Sequence, residues 1–204
     1  MTLNLALACL ALCIALALRP WRAAPAEGPP WPWLAWWAAM PLLWGADQIA
    51  RIPLVQPIAG SCLLVMMAGW PLSVLAMVVV AGLTGTVADL GWAESLSRLV
   101  WLGVVPATLT VGLGALIRRW LPHHLFVYIL GRGFFASLLA MSLSGLLAWM
   151  VQGEPAGVQA EDLLLGRWLS AWADAFLTGM MVAIFVAFRP QWLATYSDAI
   201  YLKP

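Results

Sequence analysis

Long apolar stretches separated by short polar or proline-rich connections dominate the chain. A membrane-spanning helix needs about 20 mostly apolar residues, with a range of about 17–25. The polar breaks divide this sequence into seven apolar runs, which are Leu3–Leu18, Trp33–Leu43, Pro53–Gly69, Leu72–Ala88, Leu99–Ile117, Leu125–Val151 and Leu163–Phe188. The pattern predicts an all-α fold, in which residues 1–204 form a single integral membrane domain, a polytopic bundle of about seven transmembrane helices.

The second run, Trp33–Leu43, is the weakest of the seven. Its residues cover about 17 Å at about 1.5 Å per residue, which is less than the roughly 30 Å of a hydrocarbon core. An alternative topology therefore has six spanning helices, with this run re-entrant or lying at the membrane surface.

The basic residues predict the orientation of the bundle. With seven spans, six basic residues fall on one side of the membrane and three on the other. The six are Arg19, Arg22, Arg118, Arg119, Arg189 and Lys203, and the three are Arg51, Arg98 and Arg167. Because Lys and Arg accumulate in cytoplasmic loops, we expect the N-terminus outside and the C-terminus in the cytoplasm.

Composition narrows the function classes. The chain is 64% hydrophobic and 9% charged, against about 45–50% and about 25% in soluble domains. The formal net charge of +1 argues against a basic nucleic-acid-binding surface, so the expected partner is the lipid bilayer. No Ser-His-Asp, HExxH, phosphate-loop or CxxC pattern is present, so we do not expect an enzyme, and no particular cofactor is indicated.

The chain has 14 Trp residues, most of them near predicted span ends. Amphipathic indole rings settle at the headgroup level, so an aromatic belt explains most of these residues. Four of them fit a belt less well and predict either a pocket lining or core packing: Trp36, Trp37, Trp44 and Trp172.

Arg132 and Asp174 are the two ionisable residues placed well inside predicted spans. An isolated charge at such a depth costs at least about 2.5–3.5 kcal/mol, so each needs a partner or a function. Counting from the predicted span ends puts Arg132 about 12 Å and Asp174 about 14 Å from the inner face. Since their spans are consecutive and antiparallel, we predict an intramembrane Arg132–Asp174 ion pair, serving either bundle structure or a polar site.

Two further groups carry potential chemistry. His123 and His124 follow Arg118 and Arg119 at the predicted cytoplasmic end of the sixth run. Adjacent helical side chains diverge by about 100°, which favours an interfacial role over metal chelation.

Sulfur-containing side chains form the second group. Cys9 and Cys13 lie four residues apart in the first run, and Cys62 and Met66 repeat that spacing in the third. Thiolate and thioether ligands suit Cu(I), so these four residues are a candidate copper site between two helices. The alternative is ordinary helix packing by free thiols and an adaptable Met.

The segment from Pro71 to Ala148 resembles a known family in the order of its parts. An apolar run containing PLSVLAM is followed by a bend, LTGTVADLGW, and then by WLGVVPATLTVGLGALIRRWLPHHLFVYILGRGFF. In this order it is similar to the CbiM-like permeases, the cobalt- and nickel-binding membrane components of energy-coupling-factor transporters, and especially to short proteobacterial forms. The resemblance implies six or seven helices with the N-terminus outside, a bacterial inner membrane location, and a scaffold protein and ATPase subunits as partners.

The start of the chain departs from that family. Its members capture the ion with a histidine directly after the initiator Met, whereas this chain has Thr2, Leu3 and Asn4 there. The family's metal ligands therefore have no counterparts here, and the native ligand stays open.

Two main functions follow from the sequence. The first is a membrane-embedded solute- or metal-binding permease component of an energy-coupling-factor transporter. The second is a non-transporting membrane subunit or assembly factor of a larger membrane complex, for which metal handling is one option. A small intramembrane enzyme is a third alternative, with only Arg132 and Asp174 as candidate groups.

Overall fold

A computed structural model of the chain describes residues 1–20, 31–51, 55–155, 157–197 and 201. This described part is mostly helical and contains no strand, which confirms the all-α prediction. In chain order the helices are α1 (Thr2–Ala17), α2 (Trp31–Trp44), α3 (Ala46–Ile49), α4 (Ser61–Ala68), α5 (Trp70–Val87), α6 (Trp92–Trp120), α7 (Val127–Gln152) and α8 (Ala160–Phe188), and a 3-10 turn follows at Pro190–Trp192.

Four of these helices, α5 to α8, are long and apolar enough to cross a membrane. The shorter helix α1 is also apolar. At about 1.5 Å per residue, the 29 residues of α8 extend over about 43 Å, more than the roughly 30 Å core of a bilayer. A membrane helix bundle is therefore the architecture of this part of the chain.

The surface of α8 has the distribution expected of a helix in lipid. Large apolar side chains such as Phe176 and Met180 are exposed, whereas Asp174 and Thr178 are buried. In water this arrangement would be unfavourable, because apolar surface is exposed and polar groups are removed from solvent. In a bilayer the exposed side chains face hydrocarbon, and the polar groups find partners inside the bundle.

The third predicted run does not form a continuous helix. Residues 55–60 are not helical, and only Ser61–Ala68, the second half of Pro53–Gly69, forms helix α4. Pro57 disfavours helix at the residue before it, and Gly60 has a φ of +65°, which interrupts helical geometry. The expectation of a full-length third helix is thus corrected to a non-helical segment followed by two helical turns.

Helix α6 begins earlier than the predicted fifth run, Leu99–Ile117. Its first turns contain Glu94 and Arg98, which the sequence pattern assigns to a loop. Glu94 lies near the positive end of the helix dipole and forms an i,i+4 ion pair with Arg98, so both residues stabilise the added turns. The bounds of the other runs agree with α1, α2, α5, α7 and α8 within a few residues.

The described helices define two ends of the bundle. Met1 and Gln152 border one surface cleft together with Ser97, near the start of α6. Arg118, near the end of α6, lies beside Tyr201. Since Ser97 and Arg118 are about 32 Å apart along α6, we call the end with Met1 the N-terminal end and the end with Tyr201 the C-terminal end.

Helix α4 lies in the centre of the bundle. Every residue from Ser61 to Met67 is buried, and no side chain among them is more than 3% exposed. Around it, α7 and α8 approach closely where glycines face larger side chains, as Gly133 faces Val182 and Gly179 faces Phe134. Small residues permit this approach in a membrane, where dispersion and hydrogen bonds drive helix association.

Candidate functional site

The start of α4 is bound to the carboxylate of Asp174. The backbone N–H of Ala59 donates to Asp174 Oδ2 at 2.9 Å, and that of Gly60 donates to Oδ1 at 2.8 Å. Asp174 is 1% exposed and is the middle residue of α8. The first N–H groups of a helix have no partner within the helix, so this carboxylate satisfies backbone donors that are buried deep in the bundle.

Two tryptophans of α2 bind the same two residues from the opposite direction. The indole N–H of Trp44 donates to the Ala59 carbonyl at 2.7 Å, and that of Trp36 donates to the Gly60 carbonyl at 2.9 Å. A Cβ on Gly60 would lie 2.7 Å from the Trp36 ring. Both peptide groups are therefore fully hydrogen-bonded, as backbone at membrane depth requires.

The tryptophans that fit a belt less well pack in the bundle, and three of them donate hydrogen bonds to the backbone. Trp44 is fully buried, and Trp37 donates its indole N–H to the Ala76 carbonyl at 3.0 Å. Trp172 instead packs edge to face against Phe134 and Trp168. Trp33, at the start of the second apolar run, is predicted to belong to the aromatic belt, but it is 7% exposed and lies in the core.

Hydroxyl groups surround the thiol of Cys62, one helical position into α4. Thr110 Oγ1 donates to Cys62 Sγ at 3.1 Å, and the side chains of Ser61 and Ser137 face the same sulfur. The Ser61 and Ser137 hydroxyl oxygens are buried without a well-aligned hydrogen bond in the described part of the chain. A small polar cluster therefore continues from Asp174 into the centre of the bundle.

The end of α4 is covered by the segment that follows α8. The backbone N–H groups of Ala194 and Thr195 donate to the carbonyls of Met67 and Met66, both at 3.3 Å. The Thr195 hydroxyl also contacts the Met66 carbonyl at 3.3 Å and the Tyr128 hydroxyl at 2.8 Å. The last carbonyls of α4, which lack partners within the helix, are thus satisfied by this C-terminal segment.

Arg132 lies beside this segment. Its guanidinium donates to the Thr195 carbonyl and to the Tyr201 hydroxyl, both at 3.3 Å, and stands 5.4 Å from the centre of the Tyr128 ring. Among the described residues, the contacts of this cation are thus a carbonyl, a hydroxyl and an aromatic ring, and none is a carboxylate.

The predicted Arg132–Asp174 ion pair is not formed in the structure. Asp174 binds at the start of α4 and Arg132 near its end, and the eight residues of α4 separate these levels by about 12 Å. The predicted depths of Arg132 and Asp174 were wrong because α7 and α8 do not begin where the sixth and seventh apolar runs begin. Asp174 is at the centre of α8, whereas Arg132 is five residues after the start of α7.

A cleft of about 300 Å³ opens at the N-terminal end of the bundle. Three of its charged residues form one network: Arg98 makes two 2.7 Å hydrogen bonds to the carboxylate of Asp47 and one to Glu94, and it also donates to the Trp44 carbonyl. Partial burial opposes ionisation of the Asp47 carboxyl, but the hydrogen bonds and charge of Arg98 outweigh it and hold the pKa below its ordinary value.

Arg167 and Gln56 also line the cleft and form its second wall. Arg167 donates one hydrogen bond, to the Gly145 carbonyl at 2.6 Å, and makes no ion pair within the described part of the chain. The Arg167 Nε and Gln56 Nε2 atoms are buried without a hydrogen-bond partner there. Both atoms are N–H donors that the described protein encloses but does not satisfy, beside a guanidinium that lines the cleft.

The structure does not bring the four predicted sulfur ligands together. Cys9 and Cys13 are exposed on α1, whereas Cys62 and Met66 are buried in α4. Among the described residues no group of three or more His, Cys, Asp or Glu side chains is arranged to hold a metal ion. A spacing of four residues puts Cys9 near Cys13 on α1 and Cys62 near Met66 on α4. It does not determine whether the two helices turn these faces toward each other.

The predicted interfacial residues lie at the C-terminal end of the bundle. Arg118, Arg119, His123 and His124 are all exposed. The ring of His124 stacks on Phe126 with centroids 5.6 Å apart, and His123 lies 6.2 Å from the Tyr201 ring. Their position fits an interfacial role.

Sequence reasoning missed the residues of the cleft. Arg167 lies four positions inside the seventh apolar run, and an ionisable residue there was a usable signal, although the prediction counted it as a loop charge. The sequence signal for Gln56 and for the peptide groups of Ala59 and Gly60 was weak. It consisted of Pro57 and Gly60, which interrupt an apolar run.

Comparisons with known proteins found no matching family model, no matching curated protein and no matching solved structure.

Proposed function

We propose that this chain is the solute-binding membrane component of an energy-coupled transporter in a bacterial inner membrane. The observation that carries the proposal is the interrupted third segment, in which α4 starts at the carboxylate of Asp174 in the centre of the bundle. Discontinuous helices with non-helical backbone at membrane depth are typical of transporter binding sites.

The same segment connects the two ends of the bundle. Residues Gln56 and Pro57 line the open cleft, Ala59 and Gly60 contact Asp174, and Met66 and Met67 contact the C-terminal segment. A solute entering the cleft would thus meet a chain segment whose other end lies under a closed cover. This arrangement supports alternating exposure of an internal site.

The topology proposed with this function has seven crossings and the N-terminal end outside. Helices α5 to α8 supply four crossings, and α1, α2 and the interrupted segment supply the other three. Arg118, Arg119 and Arg189 then face the cytoplasm, in agreement with the positive-inside rule. A C-terminal alkaline phosphatase fusion should be inactive, and an active fusion would refute this orientation.

The resemblance to CbiM-like permeases supports a scaffold protein and paired ATPases as partners. It does not support cobalt or nickel as the solute, because those ions favour imidazole and amide nitrogen, and position 2 is Thr2. The cleft instead offers guanidinium, carboxylate and amide groups.

Purification from native membranes tests this function. A tagged chain, extracted in mild detergent from its own host, should co-purify with ATP-hydrolysing subunits and a membrane scaffold in fixed stoichiometry. Co-purification with a large complex that lacks any ATPase would instead support the second function, a non-transporting subunit or assembly factor.

A further inference from the structure

We propose that the cleft at the N-terminal end binds a small organic carboxylate through Arg167 and Gln56. The proposal rests on the proposed function in one respect, since it names the solute class of the same cleft. Its physical basis is a difference between the two guanidinium groups that line the cleft, Arg98 and Arg167.

The guanidinium of Arg98 already has its hydrogen-bond acceptors within the protein. Its guanidinium binds both oxygens of Asp47, one oxygen of Glu94 and the Trp44 carbonyl. These two carboxylates over-neutralise its charge, so this side of the cleft has no affinity left for an anion.

Arg167 is positioned but not saturated. Its side chain packs along Gly145, where an added Cβ would lie 3.3 Å from Arg167 Cβ and 3.4 Å from Cδ. One N–H binds the Gly145 carbonyl, the buried Nε–H has no partner, and no carboxylate within the described part of the chain pairs with it. The undescribed residues that adjoin Val55 and Pro155 in the sequence, 52–54 and 156, are Ile, Pro, Leu and Ala and carry no charge. A partly buried guanidinium in this state favours a planar anion with two acceptors.

Gln56 adds a second donor on the same wall. Its backbone carbonyl accepts a 3.0 Å hydrogen bond from Ser170 Oγ, one turn of α8 after Arg167. This bond fixes the residue against α8, while the side-chain Nε2 remains buried without a partner in the described structure. The same added Cβ on Gly145 would lie 3.6 Å from Gln56 Oε1, so both side chains share one packing surface.

The dimensions and charge of the cleft set the class of ligand. A volume of about 300 Å³ is at the small end of ligand pockets. Glu94, whose side chain is 49% exposed, faces the same space. An amino group on the ligand could therefore bind near Glu94 while its carboxylate binds Arg167, which places small amino acids in the class beside simple carboxylates.

The test is calorimetric titration of the full chain in nanodiscs of zwitterionic lipid at low salt. The probes are succinate, L-glutamate, the uncharged succinamide and inorganic phosphate. We expect saturable binding of a carboxylate, with succinamide weaker by about tenfold or more, since charge-assisted hydrogen bonds are lost. Failure of both carboxylates to bind, or equal binding of phosphate, would overturn the proposal.

Variants locate the site. Arg167→Met should weaken carboxylate binding by about tenfold or more. Gly145→Ala should weaken it less, because the added Cβ would lie 3.3 Å from Arg167 Cβ and would shift that side chain without removing it, whereas Gly82→Ala, at a position with open space, should leave it unchanged. If Arg167→Met does not remain monodisperse, Gln56→Leu replaces it, with the same expected direction. Unchanged binding in a folded Arg167 or Gln56 variant refutes the assignment.

The outcomes separate this inference from the proposed function. ATPase subunits in the native-membrane preparation together with no carboxylate binding would refute only the ligand class. Carboxylate binding without any ATPase would refute the transporter while the binding site stands.

Discussion

The two ends of α4 are stabilised in different ways. At its start, a carboxylate from α8 and two indoles from α2 bind the backbone, and all three come from regular helices. At its end, the partners of Met66 and Met67 are backbone groups of the C-terminal segment, beyond the last helix. A contact made by helix side chains can be lost only by disturbing the bundle, whereas we expect the C-terminal segment to leave α4 more readily, because it is not part of a long helix.

This difference has a consequence for mechanism. Buried backbone groups need partners at all times in a membrane, so an end that opens must have partners that can be exchanged. We therefore expect changes at the start of α4 to lower global stability and changes at its end to alter access.

The largest effect is expected for Asp174→Ala. The substitution leaves two buried N–H groups unsatisfied, each at a cost of about 1–3 kcal/mol, so the free energy of unfolding should fall by about 2–6 kcal/mol. Monodisperse yield after graded heating in detergent measures it. Asp162→Ala, in the exposed first turn of the same helix, is the control, and equal losses in the two variants would contradict the role of the carboxylate.

Gly60→Ala should have the next largest effect. Its φ of +65° disfavours any Cβ by about 1–2 kcal/mol, and the overlap with Trp36 adds about 1–3 kcal/mol. The same heating assay applies. Adding Trp36→Leu should relieve the overlap with the ring but should restore only some of the lost stability, because the indole hydrogen bond is lost as well. The control variant Gly82→Ala should leave stability unchanged.

Truncation after Trp192 sharpens the comparison at the other end. Loss of two backbone hydrogen bonds and of the buried Leu193 should cost about 2–4 kcal/mol. Its distinguishing effect is on access: in a chain whose three cysteines are replaced by Ala, a Met66→Cys thiol should react faster with maleimide after truncation. A Val74→Cys thiol, equally buried in α5, should not change. Unaltered labelling at position 66 would mean that the segment is not a cover.

Acid should weaken the network of Arg98, Asp47 and Glu94 at the N-terminal end of the bundle, with a smaller effect on stability. The pKa of Asp47 is lowered by Arg98 in the folded protein, so its contribution is present above the ordinary carboxyl pKa and is lost as the pH falls through the lower, folded value. The contribution of such a partly solvated pair is less than about 1 kcal/mol. Thermal stability at pH 3 to 7 in Asp47→Asn, compared with the unaltered chain, should show a flatter acid limb, and parallel curves would argue against the pair.

The smallest expected quantity is the coupling between Arg132 and Asp174. Residues that share no partner have additive effects within about 0.3–0.5 kcal/mol. Arg132→Leu and Asp174→Leu, singly and together, should therefore sum in the heating assay. A double variant more stable than the Asp174→Leu single variant would restore the ion pair predicted from the sequence and contradict the arrangement described here.

The extent and class of the fold could be predicted because they depend on local properties. A run of about 20 apolar residues needs lipid around it and internal hydrogen bonds within it, so the lengths of Leu72–Ala88, Leu125–Val151 and Leu163–Phe188 led directly to α5, α7 and α8. The same reasoning identified Asp174 as a buried charge that needs partners. No comparable local signal distinguished the broken third segment from a continuous helix beyond Pro57 and Gly60.

The partners of the buried charges depended on three-dimensional packing. Asp174 binds backbone N–H groups 114 and 115 residues away, and every residue except Pro carries such a group, so side-chain identity does not reveal it. Helix bounds that differ by a few residues move a side chain by several ångströms, which separated Arg132 from Asp174 and placed Arg98 beside Asp47. Apolar periodicity specifies how far a helix extends in the membrane, but the depth and rotation at which helices pack determine which polar groups meet.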